Sequence, residues 1–384
     1  MARCGPLPDD GRVARYLFSS HDGFGLGHVR RNAIVARAVL AADPGAEVTL
    51  VTGVAVRPSW LGDHRMRIVR VPSMLKDTHG AYTNEELAFD EAIRRRSAVF
   101  DAAVDELRPD VIVVDRHPYG LAGELRPGIE RARGRGTAVV LGLRDVLDEP
   151  ATVRGEIGGH GWDDVAELFD HALVYGDTVV CDHEAEYGLP LTPTYCGWVT
   201  ERPIARRREA DLLVFAAGGG GDGCSVFRLG VELSRLLDDR RAVLVSGPYG
   251  AADAARELID GGPGTGRVQL VRDAAGCVEL FARAGGVVQM AGYNSTIEAL
   301  AAGIRPVLVP RRSPRREQAI RASRLAALGL ADVVDEDAPA EEVVWLLQRD
   351  RVLADGQLAG AGIHLDGAHR AAEVVTAACG ATLR

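Results

Sequence analysis

The chain is 384 residues long, 47% apolar and 26% charged, which is too much for one ordinary hydrophobic core; at roughly 100 to 200 residues per domain it predicts two domains with a cleft between them. A formal net charge of −9 with no long basic block argues against a dedicated nucleic-acid surface and leaves room only for a local basic patch. Lys76 is the only lysine, which excludes a Walker A phosphate loop and confines any Schiff-base chemistry to that residue.

Along the chain, short apolar runs alternate with longer amphipathic stretches, the pattern of a doubly wound α/β domain. Strands are predicted at Arg15 to Ser20, Glu47 to Thr52, Arg67 to Val71, Asp110 to Val114, Ala138 to Leu143 and His171 to Tyr175. Their near-continuous apolar character suits a parallel sheet covered on both faces. From Thr192 to Arg208 the text turns to proline and arginine, TPTYCGWVTERPIARRR, and reads as a passage between domains. Residues 1–200 are therefore taken as an N-terminal domain and 201–208 as the linker. The alternation then resumes, with strands at Asp211 to Ala216, Ala242 to Ser246, Arg267 to Val271, Gly286 to Met290, Pro306 to Val309 and Asp332 to Val334. Helices such as Ser225 to Leu237 and Ser295 to Ala302 lie between them. Residues 209–384 make the second domain, and the last helix, Ala368 to Cys379, can pack on either one.

In an open parallel sheet, ligands bind beyond the carboxyl ends of the strands, so the residues directly after each strand are the informative ones. After the first strand, Asp22, Gly25 and Gly27 form an acceptor-side loop whose glycines allow a tight turn, and His28 falls near the start of the next helix. The glycine spacing is not GxGxxG, and the second strand ends on Val51-Thr52-Gly53 rather than on an acidic residue, so a dinucleotide is not expected. After the first strand of the second domain, Gly218, Gly219, Gly220 and Gly221 expose a row of amides to an anion. Val271 and Arg272 end a later strand and are counted with the same site. Further on, Gly292 opens a loop in which Asn294, Ser295 and Thr296 offer capping side chains and amides for phosphate oxygens. Glu298, about one turn into the helix, is placed to accept hydrogen bonds from ribose hydroxyls. One strand later, Arg311, Arg312, Arg315 and Arg316 surround an anionic group, and Glu317 and Gln318 suit sugar hydroxyls. Each feature also has a plainer reading: a helix-capping histidine, a flexible glycine turn, a carboxylate favoured by the helix dipole, an exposed basic turn.

With these residues in place, the second half resembles the donor domain of GT-B glycosyltransferases, particularly the MurG-type N-acetylglucosaminyltransferase of peptidoglycan lipid II synthesis. The segment GYNSTIEALAAGIRPVLVPRRSPRREQAIRASRLAALGL is similar to a group of bacterial glycosyltransferases related to it. The segments DRHPYGLAGEL (Asp115 to Leu125) and GLRDVL (Gly142 to Leu147) extend the resemblance into the first half. The implied architecture is α/β GT-B, two Rossmann-like domains with parallel sheets facing a central cleft. The resemblance also implies Glu298 on the ribose, the preceding loop on the diphosphate, and Glu317 and Gln318 on the donor sugar. The first loop is DGFGLGH rather than GGTGGH, so the acceptor handling of the lipid II enzyme is not carried over.

The implied reaction is an inverting displacement at the anomeric carbon of a nucleotide-sugar, with UDP-N-acetylglucosamine the leading donor and a small molecule as acceptor. Amides at Gly219 to Gly221 and Asn294 to Thr296, with an arginine from 311 to 316, are expected to stabilise the leaving diphosphate without a metal or other cofactor. Asp335-Glu336-Asp337 reads as a helix cap rather than a metal site. The six cysteines, Cys4, Cys181, Cys196, Cys224, Cys277 and Cys379, are scattered and form no Cys-x-x-Cys pair, so no zinc or disulfide framework is expected. His28 ranks first as general base because imidazole titrates near neutrality, with Asp115 and His117 as alternatives. The acceptor is expected to meet N-domain loops including Ser73 to Asn84. No apolar run approaches the ~18 residues that span a bilayer, and Met1 to Gly11 lacks signal-peptide zones, so the expectation is cytoplasmic with at most peripheral membrane contact. A nucleotide-sugar 2-epimerase and a non-catalytic sugar-nucleotide-binding regulator fit the same features.

Overall fold

A computed structural model describes residues 12–20, 26–54, 61, 65–76, 82–201, 207–218, 223–247, 252–261, 267–272, 277–313 and 315–382. The first half runs β1 (Arg15–Ser19), α1 (Gly27–Ala42), β2 (Glu47–Thr52), β3 (Met66–Arg70), β4 (Leu75–Lys76), β5 (Tyr82–Thr83), α2 (Phe89–Leu107), β6 (Val111–Asp115), α3 (Arg126–Arg133), β7 (Ala138–Arg144), α4 (Pro150–Ile157), α5 (Val165–Leu168), β8 (His171–Tyr175), α6 (His183–Tyr187) and β9 (Pro193–Tyr195). The second half runs β10 (Glu209–Ala216), α7 (Cys224–Leu236), β11 (Arg241–Ser246), α8 (Ala252–Asp260), β12 (Val268–Arg272), α9 (Val278–Arg283), β13 (Ala284–Gln289), α10 (Tyr293–Ala301), β14 (Val307–Leu308), α11 (Glu317–Ala327), β15 (Asp332–Val333), α12 (Ala340–Leu347), α13 (Gln357–Gly360) and α14 (Gly367–Thr382).

Two sheets result. One has the order β3-β2-β1-β6-β7-β8-β9 and the other β12-β11-β10-β13-β14-β15, and every paired strand in both is parallel. The apolar runs explain this arrangement. Val111, Ile112, Val113 and Val114 of β6 are all fully buried, which requires cover on both faces of the sheet. In the second sheet the alternating side chains of β10 part into two cores, Leu213 and Phe215 on one face and Leu212 and Val214 on the other.

Three elements differ from the sequence reading. Pro193–Tyr195, inside the stretch read as a passage between domains, is strand β9 and pairs with β8. Proline is tolerated there because β9 is an edge strand and Pro193 its first residue. The Ser73 to Asn84 loop contains an antiparallel ladder, β4 with β5. Of the 201–208 linker, residues 202–206 lie outside the described residues.

The last helix, α14, crosses back to pack against α1, β6, β7 and β8 of the first lobe. Its entry is laced to the other crossing: Trp198 N–H donates to His364 O at 2.7 Å and Gly367 N–H to Trp198 O at 3.1 Å. Glycine is required on both sides. Gly197 has φ +81°, and a Cβ on Gly367 would stand 2.4 Å from Gly197 O. The first core continues across the junction, joining Val113 and Leu141 to Ile297, Leu300 and Leu325 of the second lobe.

Candidate active site

Each sheet reverses its strand order once, between β1 and β6 and between β10 and β13, and such switch points are where open α/β sheets bind ligands. The segments leaving these strands contain most of the residues singled out from the sequence.

In the first lobe, β1 leads into α1, whose second residue is His28, while Asp115 is the last residue of the adjacent strand β6. His28 Nδ1 lies 2.7 Å from Asp115 Oδ2. Asp115 is fully buried and also accepts from Arg31 Nη2 at 2.6 Å and Asn32 Nδ2 at 3.0 Å. Residues 28, 31 and 32 are neighbours on one face of α1, so a single helical stripe surrounds the carboxylate. Burial pushes the Asp115 pKa up, but the charges and hydrogen bonds of Arg31 and His28 outweigh it and hold the carboxyl far below its ordinary range. Burial lowers the His28 pKa, with Arg31 and Arg144 adding to the effect and Asp115 opposing it. The imidazole is therefore neutral at pH 7. With Nδ1–H donating to Asp115, the basic lone pair is on Nε2.

His117 lies two residues after Asp115, in a turn where its N–H donates to Asp115 O at 3.1 Å and its carbonyl accepts from Gly120 N at 3.1 Å. Asp22 and Gly25 lie outside the described residues. Gly27 begins α1, and its carbonyl accepts from Asn294 Nδ2 of the second lobe at 3.0 Å. That bond brings the start of α1, and His28 with it, against the first turn of α10.

In the second lobe, Gly292 is the N-cap of α10 with φ −65° and ψ 149°, and no side chain caps the helix. The expectation that Asn294, Ser295 or Thr296 would cap is corrected: all three sit inside the first turns. Their side chains consequently point elsewhere, and Asn294 Oδ1 and Thr296 Oγ1 are buried with no hydrogen-bond partner among the described residues. Glu298 is buried, accepts Cys277 N–H at Oε2 (2.8 Å) and pairs through Oε1 with Arg30 Nη1 of α1 at 2.6 Å. Burial raises its pKa, while Arg30 and the Cys277 amide oppose the rise. Tyr293 stacks on Trp198 with ring centroids 5.2 Å apart and accepts Val199 N–H at 2.9 Å, so it joins the lobes.

Gly218 follows β10 with φ +75° and is exposed, whereas Gly219, Gly220 and Gly221 lie outside the described residues. Arg272 pairs with Asp253 at 2.9 Å, next to partly buried Val271 at the end of the outermost strand, β12.

The arginine-rich turn before α11 departs most from expectation. Arg311 pairs with Glu317 at 2.8 Å, Arg312 with Asp335, Arg315 with Glu156 at 3.0 Å, and Arg316 with Glu149 at 2.6 Å. Each of the four is neutralised by a carboxylate of the chain itself. Glutamates 149 and 156 belong to the other lobe, so the turn holds the domains together. Deeper in the same seam, Arg321 clasps Asp145 with two bonds of 2.6 Å, and Arg324 clasps Glu186 at 2.9 and 2.6 Å. The Asp335 reading is corrected too, since α12 begins at Ala340 with Pro339 as N-cap and no side-chain cap. Gln318 Oε1 accepts Arg311 N–H at 3.3 Å. Glu317, 3% exposed, keeps Oε2 buried and without a partner among the described residues. Burial raises its pKa, but Arg144, Arg311 and Arg321 bring it down to about 2.

No family model matches the sequence, and no curated protein matches it. Solved structures do. The glycotransferase of kitacinnamycin superposes with a TM-score of 0.65 at 18% identity, covering 96% of this chain and 99% of that one. MurG of Acinetobacter baumannii gives 0.60 at 14% identity over 95% and 99%. The glycosyltransferase SnogD from Streptomyces nogalater gives 0.59 at 19% identity over 95% and 100%. At these identities the likeness is one of fold, and the fold is the GT-B arrangement expected from the sequence. No helix among the described residues is long and apolar enough to cross a membrane.

Proposed function

We propose that the chain is an inverting, metal-independent glycosyltransferase that moves a sugar from a UDP-sugar to a small-molecule hydroxyl. The observation behind this reading is the His28–Asp115 pair, 2.7 Å apart at one switch point and tied through Gly27 and Asn294 to the other. A general base in one lobe thus faces a helix N-terminus in the other. His28 Nε2 takes the acceptor hydroxyl proton as the oxygen attacks the anomeric carbon. The bond from that carbon to the diphosphate breaks, and its electron pair leaves on the phosphate oxygen. Asp115 keeps the imidazole in the useful tautomer and stabilises the imidazolium that forms. The amides opening α10 face the leaving diphosphate.

The donor side has its own support. Asn294 Oδ1, Thr296 Oγ1 and Glu317 Oε2 are three buried oxygens without partners among the described residues, and all three belong to positions picked from the sequence for the nucleotide-sugar. Buried polar atoms are rarely left so, and ligand hydroxyls and amides would satisfy them. Glu298 already holds Arg30, so ribose hydroxyls would bind on its remaining lone pairs or displace that arginine.

The test is incubation with UDP-N-acetylglucosamine and other UDP-sugars, with and without phenolic acceptors, with and without EDTA, followed by mass detection of glycosides and UDP. Glycoside formation unaffected by EDTA is expected. An epimerised sugar, resolved by chromatography and appearing equally without acceptor, would instead establish an epimerase, and absence of any UDP-dependent thermal shift would refute the UDP-sugar assignment.

A further inference from the structure

Two arginines of the first lobe play no part in the reaction above. Arg116 directly follows Asp115, and Arg144 ends the neighbouring strand β7, so both stand at the same sheet edge as the His28–Asp115 pair. Arg116 is 4% exposed and adopts φ +74°, a conformation uncommon outside glycine. Its Nη2 bonds Glu156 at 3.1 Å, but Nη1 is buried and has no hydrogen-bond partner among the described residues. Arg144 donates Nη2 to Leu147 O at 3.1 Å, and its Nε is buried without a partner among the described residues.

The charge balance singles out Arg144. Arg311, Arg315, Arg316 and Arg321 each have a carboxylate within hydrogen-bond distance. The ion pair of Arg144 is with Glu317 at 3.8 Å, beyond hydrogen-bond reach, and Glu317 is already bonded to Arg311. A largely buried guanidinium lacking a counter-ion of its own is costly. Burial, with Arg116 and Arg321 nearby, lowers the Arg144 pKa to about 10 against the pull of Glu317. The same cationic field reaches the partly buried Tyr82 of β5, where Arg315, Arg116 and Arg144 oppose the rise in phenol pKa that burial causes, and Arg144 acts on His28 as well.

We infer that Arg116 and Arg144 form a subsite for a carboxylate or other anionic group carried by the acceptor, beside the base. The word acceptor rests on the glycosyltransferase reading; the anion site does not. The assignment to acceptor rather than donor rests on the lobe, since both arginines and Tyr82 belong to the one that carries His28, although Arg144 also reaches within 3.8 Å of Glu317 on the donor side. The planar guanidinium fork matches a carboxylate in two hydrogen bonds.

Calorimetric titration of the full chain at saturating UDP with 4-hydroxybenzoate and with 4-hydroxybenzamide tests this. The wild type is expected to bind the carboxylate at least tenfold more tightly than the amide. Arg144→Gln, the less buried of the two sites, should erase that preference, and Arg144→Lys should keep part of it. Arg116→Gln should do the same as Arg144→Gln, provided its thermal midpoint shows that it folds. Equal binding of the two probes by the wild type, or a preference that survives Arg144→Gln, overturns the inference. An Arg144-dependent tenfold preference for UDP-glucuronate over UDP-glucose would place the anion on the donor and overturn the assignment to the acceptor. UDP binding reports separately on the transferase reading: its absence alongside an Arg144-dependent carboxylate preference would remove the function and leave the anion site standing.

Discussion

Asp115 and Asp145 are two solutions to one problem. Asp115 closes β6 and Asp145 follows the neighbouring strand β7, so parallel strands deliver two carboxylates, both almost fully buried, to the same sheet edge. Each is held by an arginine at 2.6 Å, Arg31 for one and Arg321 for the other. They differ in the company beyond that arginine. Asp115 keeps its second oxygen for His28 and Asn32, whereas both oxygens of Asp145 are taken by one guanidinium from the opposite lobe. Imidazole gives up its proton near neutrality and guanidinium does not, so under the proposed function the first carboxylate is the one suited to supporting proton transfer, while the second makes a permanent clasp.

The contrast is easiest to break at the imidazole. His28→Ala is expected to lower kcat/KM by about 10³-fold while UDP affinity and thermal midpoint stay near wild type, read from initial rates and calorimetry. Retained turnover in His28→Ala with loss in Asp115→Asn would hand the base role to Asp115. Asp145→Asn should behave in the opposite way. Leaving Arg321 buried without its carboxylate should cost about 3 to 5 kcal/mol in urea unfolding, with turnover per folded molecule within a few-fold of wild type.

Glu317 sharpens the comparison from the side of the seam. Its folded pKa of about 2 lies below its ordinary 4.5, so it contributes about 3 kcal/mol that is fully present above pH 4.5 and lost as pH falls from there toward 2. Glu317→Gln should flatten stability against pH over that interval in acid titrations of the unfolding midpoint. The smallest effect is on rate. Because the His28 pKa is lowered, the acid limb of kcat/KM should fall below pH 6.5, with activity lost as the ring protonates. Asp115 opposes that lowering, so residual activity in Asp115→Asn should show the limb moved further to acid.

The strands were legible because buried parallel strands write themselves as short apolar runs; the two switch points were not, since apolar runs carry no strand order. Glu47–Thr52 and His171–Tyr175 coincide with their predicted bounds, and other strands shift by a residue or two. Strand β9 was not legible, since Pro193 reads as a break unless its edge position is known. Of the candidate site, the local motifs could be found but their partners could not. Nothing in the text links Arg316 to Glu149 or Arg30 to Glu298, pairs more than 160 residues apart that exist only once the lobes meet. The arginines at 311 to 316 were visible as a cluster of positive charge, but the carboxylates they meet were not. Arg31 and Asn32 did leave a signal, three and four residues after His28 on the same helical face.

The return of α14 to the first lobe bears on how the chain is made. Synthesis proceeds from the amino terminus, and domains generally fold as they emerge. Here the faces of α1, β6, β7 and β8 that await Ala371, Ala372 and Val375 stay uncovered until the whole second lobe has been translated. The lobe that begins first is thus finished last. A nascent chain must carry its first lobe in a half-clothed state, and loss of α14 would injure the amino-terminal lobe rather than the one it interrupts.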